Sequence, residues 1–316
     1  MSAATLKVAV LCGGVGAARF LAGMIAVLPP EQVSAIVNVG DDAEMHGLRI
    51  CPDLDTITYT LGGGVDPERG WGLVGETWAA MSQLEAYGGA AWFRLGDRDL
   101  GTHLYRTARL QAGASLSTVT AEIAAAWGVR VRLLPASEDP VRTRLRLAAG
   151  DEVDFQEYFV RMRHGVAVRA VRFAGAEAAR PAPGVLEALE SADVIVVAPS
   201  NPIVSIGPLR AIPGISAVLA RRRGQVVAVS PIVGGRALKG PADRLLHELG
   251  GESSVVGVAR LLAPEIGTLV VDRADAALAP AVEACGISCR VTDTVMATPA
   301  VSAALARTVL DAARAR

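Results

Sequence analysis

The chain has 316 residues, is 51% hydrophobic but only 4% aromatic, and sets 31 basic against 32 acidic side chains for a net charge of −1. That balance excludes the broad positive field of a nucleic-acid or anionic-membrane binder, and no window approaches the roughly 18 unbroken apolar residues of a membrane span. The opening MSAATLKVAVLCGG lacks a basic-then-apolar export signal, and Cys12, Cys51, Cys285 and Cys289 fall in no zinc spacing. The expectation is a cytoplasmic protein with reduced thiols that binds neither nucleic acid nor membrane.

In chain order, KVAVLC (7–12) reads as a short buried strand, GGVGAA (13–18) as a glycine loop, and the next stretch as a helix running to Leu28 and closed by Pro29 and Pro30. VSAIVNV (33–39) is a second buried strand. This β-loop-α-β opening predicts a doubly wound, mainly parallel sheet. Residues 40–70 are rich in Gly and Asp and read as one long functional loop. Helical patterns follow near 74–87, at 99–111 and at 117–127, and VRVRLLP (129–135) reads as a strand. TRLRL (143–147) and EVDFQEYFV (152–160) alternate around the turn AAGD and predict an antiparallel hairpin foreign to the α/β rhythm. The rhythm resumes with strands at 194–201, 226–235 and 268–275, a weaker one at 254–262, and a terminal helix over 297–316. The fold class is therefore α/β: a Rossmann-like doubly wound sheet with a smaller subdomain containing the hairpin. Residues 1–135 and 186–316 would form the core, and 136–185 the inserted subdomain.

Four stretches could carry chemistry. In GGVGAARF, Gly14 and Gly16 between strand and helix let backbone N–H groups approach a phosphate. A dinucleotide fingerprint would need a third glycine where Arg19 stands, and without it the same glycines would serve equally as a tight turn. NVGDDAEMHGLRICPDLDT gathers Asp41, Asp42, Glu44, Asp53 and Asp55 within fifteen residues. If RICPDLDT is extended, Asp53 and Asp55 point the same way and need a cation or a donor between them. Grouped carboxylates after a strand suit Mg²⁺, and the alternative is that Asp41 holds a ribose, as in a nicotinamide-dependent oxidoreductase. RLGDRDLGTH supplies Arg94, Asp97, Arg98, Asp99 and His103, where Asp99 would cap a helix and the Arg forks suit phosphate or ring carbonyls. APSNPIVSIGP and SPIVGGRALKG each follow a buried strand at the ligand-binding edge of such a sheet, and Ser200 and Asn201 offer donors there. No GxxxxGK[ST] loop and no nucleophile elbow occurs, which argues against an ordinary ATPase or hydrolase.

Taken in order, GGVGAARF, NVGDD, CPDLDT, RLGDRD followed by TH, LLPASEDPV, APSNPIVSIGP and the SPIVGG loop resemble the 2-phospho-L-lactate transferases of coenzyme F420 biosynthesis. The resemblance runs from the first strand to about residue 245. MHGLRICPDLDT and TLGGGVDPERGWG are most similar to actinobacterial members. The resemblance implies an acceptor, 7,8-didemethyl-8-hydroxy-5-deazariboflavin, and a donor, a guanosine diphosphate ester of lactate or enolpyruvate. The ribityl hydroxyl attacks phosphorus and GMP leaves. It further implies that Asp41 and Asp53 hold Mg²⁺, and that Asp55 contacts the deazaflavin or orients its hydroxyl. Arg94, Asp97 and Arg98 would flank the acceptor or the transferred phosphate, with Arg98 among the catalytic residues. Gly14, Gly16, Ser200 and Asn201 would cradle the guanosine diphosphate. A homodimer is expected as the commonest state of such enzymes.

Overall fold

A computed structural model describes residues 6–314. The chain opens with β1 (Val8–Cys12), α1 (Gly14–Ile25) and β2 (Val33–Val37). A short hairpin, β3 (Ala43–Met45) and β4 (Leu48–Ile50), leads into α2 (Pro52–Leu61), α3 (Ala79–Ala86), α4 (Asp97–Gln111), α5 (Leu116–Ala126) and β5 (Arg132–Pro135). Next come β6 (Arg142–Leu147), β7 (Glu152–Asp154) and β8 (Val168–Ala174), then β9 (Val194–Val197) and β10 (Val226–Val229). The hairpin β11 (Ile232–Val233) and β12 (Arg236–Ala237) precedes β13 (Thr268–Asp272), β14 (Ser288–Thr292) and a last helix, Pro299–Arg314.

Seven strands form one parallel sheet in the order β14-β13-β10-β9-β1-β2-β5. Every residue of β1, β9, β10 and β13 is buried, as expected where helices cover both faces and strands read as unbroken apolar runs. The chain winds outward from β1 to β5, then returns to start again at β9. The order therefore reverses between β1 and β9, and a crevice opens at their carboxyl ends. The registers are level there: Cys12 pairs with Val37 and Leu11 with Val197. Gly13, Asn38 and Ala198 thus leave the sheet side by side.

Four expectations change. The stretch 40–70 is not one loop, because β3, β4 and α2 lie inside it. Only Glu152–Asp154 of 152–160 is strand; Glu157–Arg161 coils into a wide helical turn that buries Tyr158. The third strand of that antiparallel sheet is β8, paired along β6. Finally, 254–262 is helical over Val255–Leu262. Ser254 caps it, its Oγ accepting from the N–H groups of Val256 (3.1 Å) and Gly257 (3.2 Å), and a capped first turn outweighs the β-branched composition.

The last helix packs on α1. The contact is backbone-close at Gly23, where a Cβ would lie 2.4 Å from the carbonyl of Ser302. Only glycine permits that approach.

Candidate active site

Pro52 at the first helical position presets the backbone for a helix and needs no N–H there. Asp53 and Asp55 therefore lie on the first turn of α2, on different sides, rather than side by side on an extended segment. Both are about 5% exposed, and each has its own partner.

Asp53 points at the glycine loop. A Cβ on Gly13 would sit 2.6 Å from its Oδ2, and the N–H of Gly14 donates to the carboxylate. Asn38, fully buried at the end of β2, donates through Nδ2 to Asp53 Oδ2 at 2.9 Å and accepts from the N–H of Gly40 at 2.8 Å. Sequence reasoning missed Asn38. The signal was present, since a lone amide at the end of a buried strand, just before an acid cluster, must find partners.

Burial dominates the charge state of this cluster. It pushes the Asp53 carboxyl up to about 6, against the pull of Asn38, and Asp42 to about 6, against Arg49. Asp41 rises well above the usual carboxylate range, first by burial and then by repulsion from Asp53 and Asp42. Asp41 Oδ1 and Asp42 Oδ1 are buried without a hydrogen-bond partner among the described residues. Burial also drives the Cys12 and Cys51 thiols upward, and their Sγ atoms lie against the Ile36 carbonyl and Asp42 Oδ2. An all-oxygen set with an orphaned buried carboxylate oxygen and mutual repulsion fits a hard divalent cation at Asp41 and Asp53.

Asp55 turns the other way, into a buried network. Both its oxygens accept from the guanidinium of Arg106, with Oδ2 at 3.1 Å from one Nη and Oδ1 on the other. The same guanidinium donates to His103 Nδ1 at 3.2 Å. On its other side, His103 Nε2 faces Asp99 Oδ2 at 3.2 Å. The Tyr59 hydroxyl donates to Asp99 Oδ1 at 2.6 Å. Asp55, Asp99 and His103 are spaced closely enough to hold a metal. Arg106 already supplies the positive charge there, so this triad reads as an ion-pair network. Arg106, 51 residues from Asp55, was not foreseen.

The RLGDRD segment is held by reciprocal capping. Glu76 accepts from the N–H groups of Arg98 and Asp99 at 2.9 Å each, closing the start of α4, which begins at Asp97 rather than Asp99. Asp97 accepts from Thr77 Oγ1 and from the N–H groups of Ala79 (2.9 Å) and Ala80 (3.0 Å), closing the start of α3. Both oxygens of Asp97 are thus engaged in structure. Arg98 donates to the Val74 carbonyl. Arg94 lies over Trp78 at 5.0 Å, and Arg69 lies 5.5 Å from both Trp78 and Trp71. Trp71, 47% exposed, ends this cation–aromatic ladder.

Across the crevice, Ser200 Oγ accepts from the N–H of Gly13 at 3.4 Å, tying the loop after β9 to the glycine loop. Asn201 Oδ1 holds its own turn through the N–H groups of Ile203 (2.9 Å) and Val204 (3.3 Å). Gly16 approaches the Pro199 carbonyl from α1. Gly14, Gly16, Ser200, Asn201, Asp41 and Asp53 therefore converge on the switch point, while Asp55, Arg94, Asp97 and Arg98 are arranged around α2, α3 and α4 beside it.

The family model described as 2-phospho-L-lactate transferase CofD matches residues 8–290, which include all of these positions. The chain belongs to that transferase family. Among relatives similar to this CofD-family chain is a phosphoenolpyruvate transferase of Kitasatospora aureofaciens, 46% identical over 313 residues, covering 96% of this chain and 97% of that protein. Another is a phosphoenolpyruvate transferase of Mycolicibacterium smegmatis, 42% identical over 323 residues, covering 98% of this chain and 99% of that protein. A crystal structure of a UPF0052 family member from Bacillus halodurans superposes with a TM-score of 0.64 at 17% identity. It covers 98% of this chain and 100% of that one, a likeness of fold.

Gly13 offers a direct test of the site. A methyl there meets Asp53 Oδ2 at 2.6 Å, Asn38 Cβ at 3.1 Å and Ser205 Cβ at 3.2 Å. Gly13→Ala should displace the carboxylate and lower turnover by about 10²-fold, the effect of a displacement of about 1 Å at a reacting centre. Steady-state kinetics beside a thermal melt would check it, and turnover within twofold of wild type would refute the placement of Asp53.

Proposed function

We propose that this CofD-family transferase moves a phosphoenolpyruvyl or phospholactyl group from a guanosine diphosphate ester to the ribityl hydroxyl of 7,8-didemethyl-8-hydroxy-5-deazariboflavin, releasing GMP, in coenzyme F420 biosynthesis. The relatives named phosphoenolpyruvate transferases favour the enolpyruvyl donor. One observation carries the reading. Asp53 sits at the N-terminus of α1, the place where a glycine loop receives phosphate. A carboxylate and a diphosphate share such a place only if a cation lies between them.

Asp41 and Asp53 would hold that ion, Mg²⁺, which neutralises charge on the phosphate oxygens during transfer. The glycine-loop N–H groups orient the diphosphate from one side, and the loop at Ser200 and Asn201 closes the other. Transfer through a loose transition state asks mainly for positioning and charge, which suits a site with no activated nucleophile. Arg94 and Arg98, both exposed beside the crevice, serve the acceptor or the moving phosphate. Trp71 presents an aromatic face on which a flat deazaflavin could stack. Asp55, fixed by Arg106, sets the wall of α2 next to that position.

Calorimetric titration with the deazaflavin, with and without Mg²⁺ and with NAD in parallel, tests the reading. Deazaflavin binding, followed by GMP release from the enolpyruvyl donor, is expected. NAD binding without any deazaflavin signal would return the glycine loop to the dinucleotide interpretation.

A further inference from the structure

We propose, resting on the transferase reading above, that Arg19 of α1 and Lys239, just after β12, form a subsite for the carboxylate of the transferred three-carbon acid. A Cβ built on Gly70 would lie 3.1 Å from Lys239 Nζ and 3.6 Å from Arg19 Nη2. The two cationic heads are therefore no more than about 7 Å apart, inside the roughly 8 Å over which physiological salt screens charge. They reach this point from two sides of the crevice, one from the helix that follows β1 and one from the hairpin that follows β10. On α1, Arg19 is exposed between the buried Ala18 and Phe20, and its Cβ tilts back toward the glycine loop.

No acid balances the pair. Neither side chain forms an ion pair or a hydrogen bond among the described residues. Of the acids in the loop beside them, Asp66 is engaged by Arg69 at 2.9 Å, and Glu68 pairs with neither cation. Two like charges brought together without a counterion repel, and an anion between them removes the repulsion. The meeting point is itself fixed. The N–H of Gly70 donates to the Asp66 carbonyl at 2.8 Å, that of Asp66 to the Gly72 carbonyl at 3.1 Å, and that of Val74 to the Gly64 carbonyl at 2.9 Å. Gly70 is buried with a φ of 72°, a conformation that keeps a side chain out. Its chain neighbours aside, no other described atom comes within 4 Å of the Cβ position. An arginine fork beside a lysine suits a planar carboxylate. The next residue, Trp71, is the aromatic face offered to the acceptor, and the group in transit must lie between donor and acceptor. In the proposed donor it is that group, not the guanosine, that carries a carboxylate. The metal and the glycine loop take the phosphates, which leaves the carboxylate to Arg19 and Lys239.

The test is calorimetry on the full chain with Mg²⁺, comparing enolpyruvyl-diphosphoguanosine, which carries the carboxylate, with GDP, which lacks it. Arg19→Gln and Lys239→Gln, both at exposed positions, should each weaken the donor about tenfold or more and leave GDP within about twofold of wild type. Lys7→Gln, exposed at the opposite edge of the sheet, should change neither. Donor affinity unmoved by both variants overturns the subsite. An equal loss for GDP also overturns it, because the pair would then hold the diphosphate. Wild-type protein that binds neither guanylate would instead sink the transferase reading. Phosphoenolpyruvate alone, followed by its phosphorus NMR signal, then decides the pair: weaker binding in both variants supports an oxyanion subsite, and no difference from wild type removes it.

Discussion

Asp53→Asn should lower turnover by at least about 10³-fold while the protein stays folded, the scale of losing a preorganised charge at a transferring phosphoryl group. The carboxylate lies on the glycine loop, held by Asn38 and the N–H of Gly14, and an amide there keeps the shape but would give up the proposed ion. Product formation from either guanylyl donor, with circular dichroism as the fold control, decides it. Wild-type rates would dismiss Asp53 as a metal ligand. The same burial sets a pH dependence. Asp53 moves from an ordinary 3.8 to about 6 on folding, so the folded chain holds its proton longer than the unfolded chain. That contribution to stability is complete below about 3.8 and is lost as pH rises through about 6. A rise of two units corresponds to about 3 kcal/mol. Metal-free protein should therefore weaken to denaturant across this window, and Mg²⁺ should restore stability above it. A midpoint that is flat with pH and indifferent to Mg²⁺ would contradict the charge assignment.

Arg106→Met should cost about 3–5 kcal/mol, because it strands Asp55 as a buried charge with no counterion. At roughly 2 °C per kcal/mol for a chain this long, the melting temperature should fall by about 6–10 °C. Burial alone would lower the pKa of the guanidinium, but Asp55 more than offsets it and holds Arg106 cationic. The loss also spreads to His103, whose Nδ1 accepts from Arg106. Pairing Arg106→Met with Asp55→Asn should recover part of the stability, since the second change removes the stranded charge. Failure of the pair to recover anything in a double-mutant cycle would mean that packing, not charge, is what Arg106 provides.

The parts of the architecture that were legible are those that follow from burial. Parallel strands covered on both faces read as unbroken apolar runs, and the loops after β1, β2 and β9 come together because their registers are level. Local backbone chemistry was legible but misread. Pro52 ahead of two acids is a helix start, and it separates Asp53 from Asp55; Ser254 ahead of Val255 outweighs a β-branched run. The alternation in VRAVRFA (168–174) marked β8 and went unread. Arg106 was not legible at all. Its neighbours on α4 are those of an amphipathic helix, and only the tertiary placement of α4 beside α2 turns a surface-like arginine inward to meet Asp55.

The close seat of Gly23 on Ser302 has a consequence for how the chain is made. The helix that begins at the glycine loop leaves the ribosome well before the helix that covers it. Some 275 residues separate Ile25 from Pro299, so at about 5–20 residues per second the wait is on the order of 15–55 s. Throughout that interval an apolar flank of α1 lacks its final cover. A message cut just before Pro299 would spare every residue proposed for the site, yet release a chain whose first helix never finds its partner.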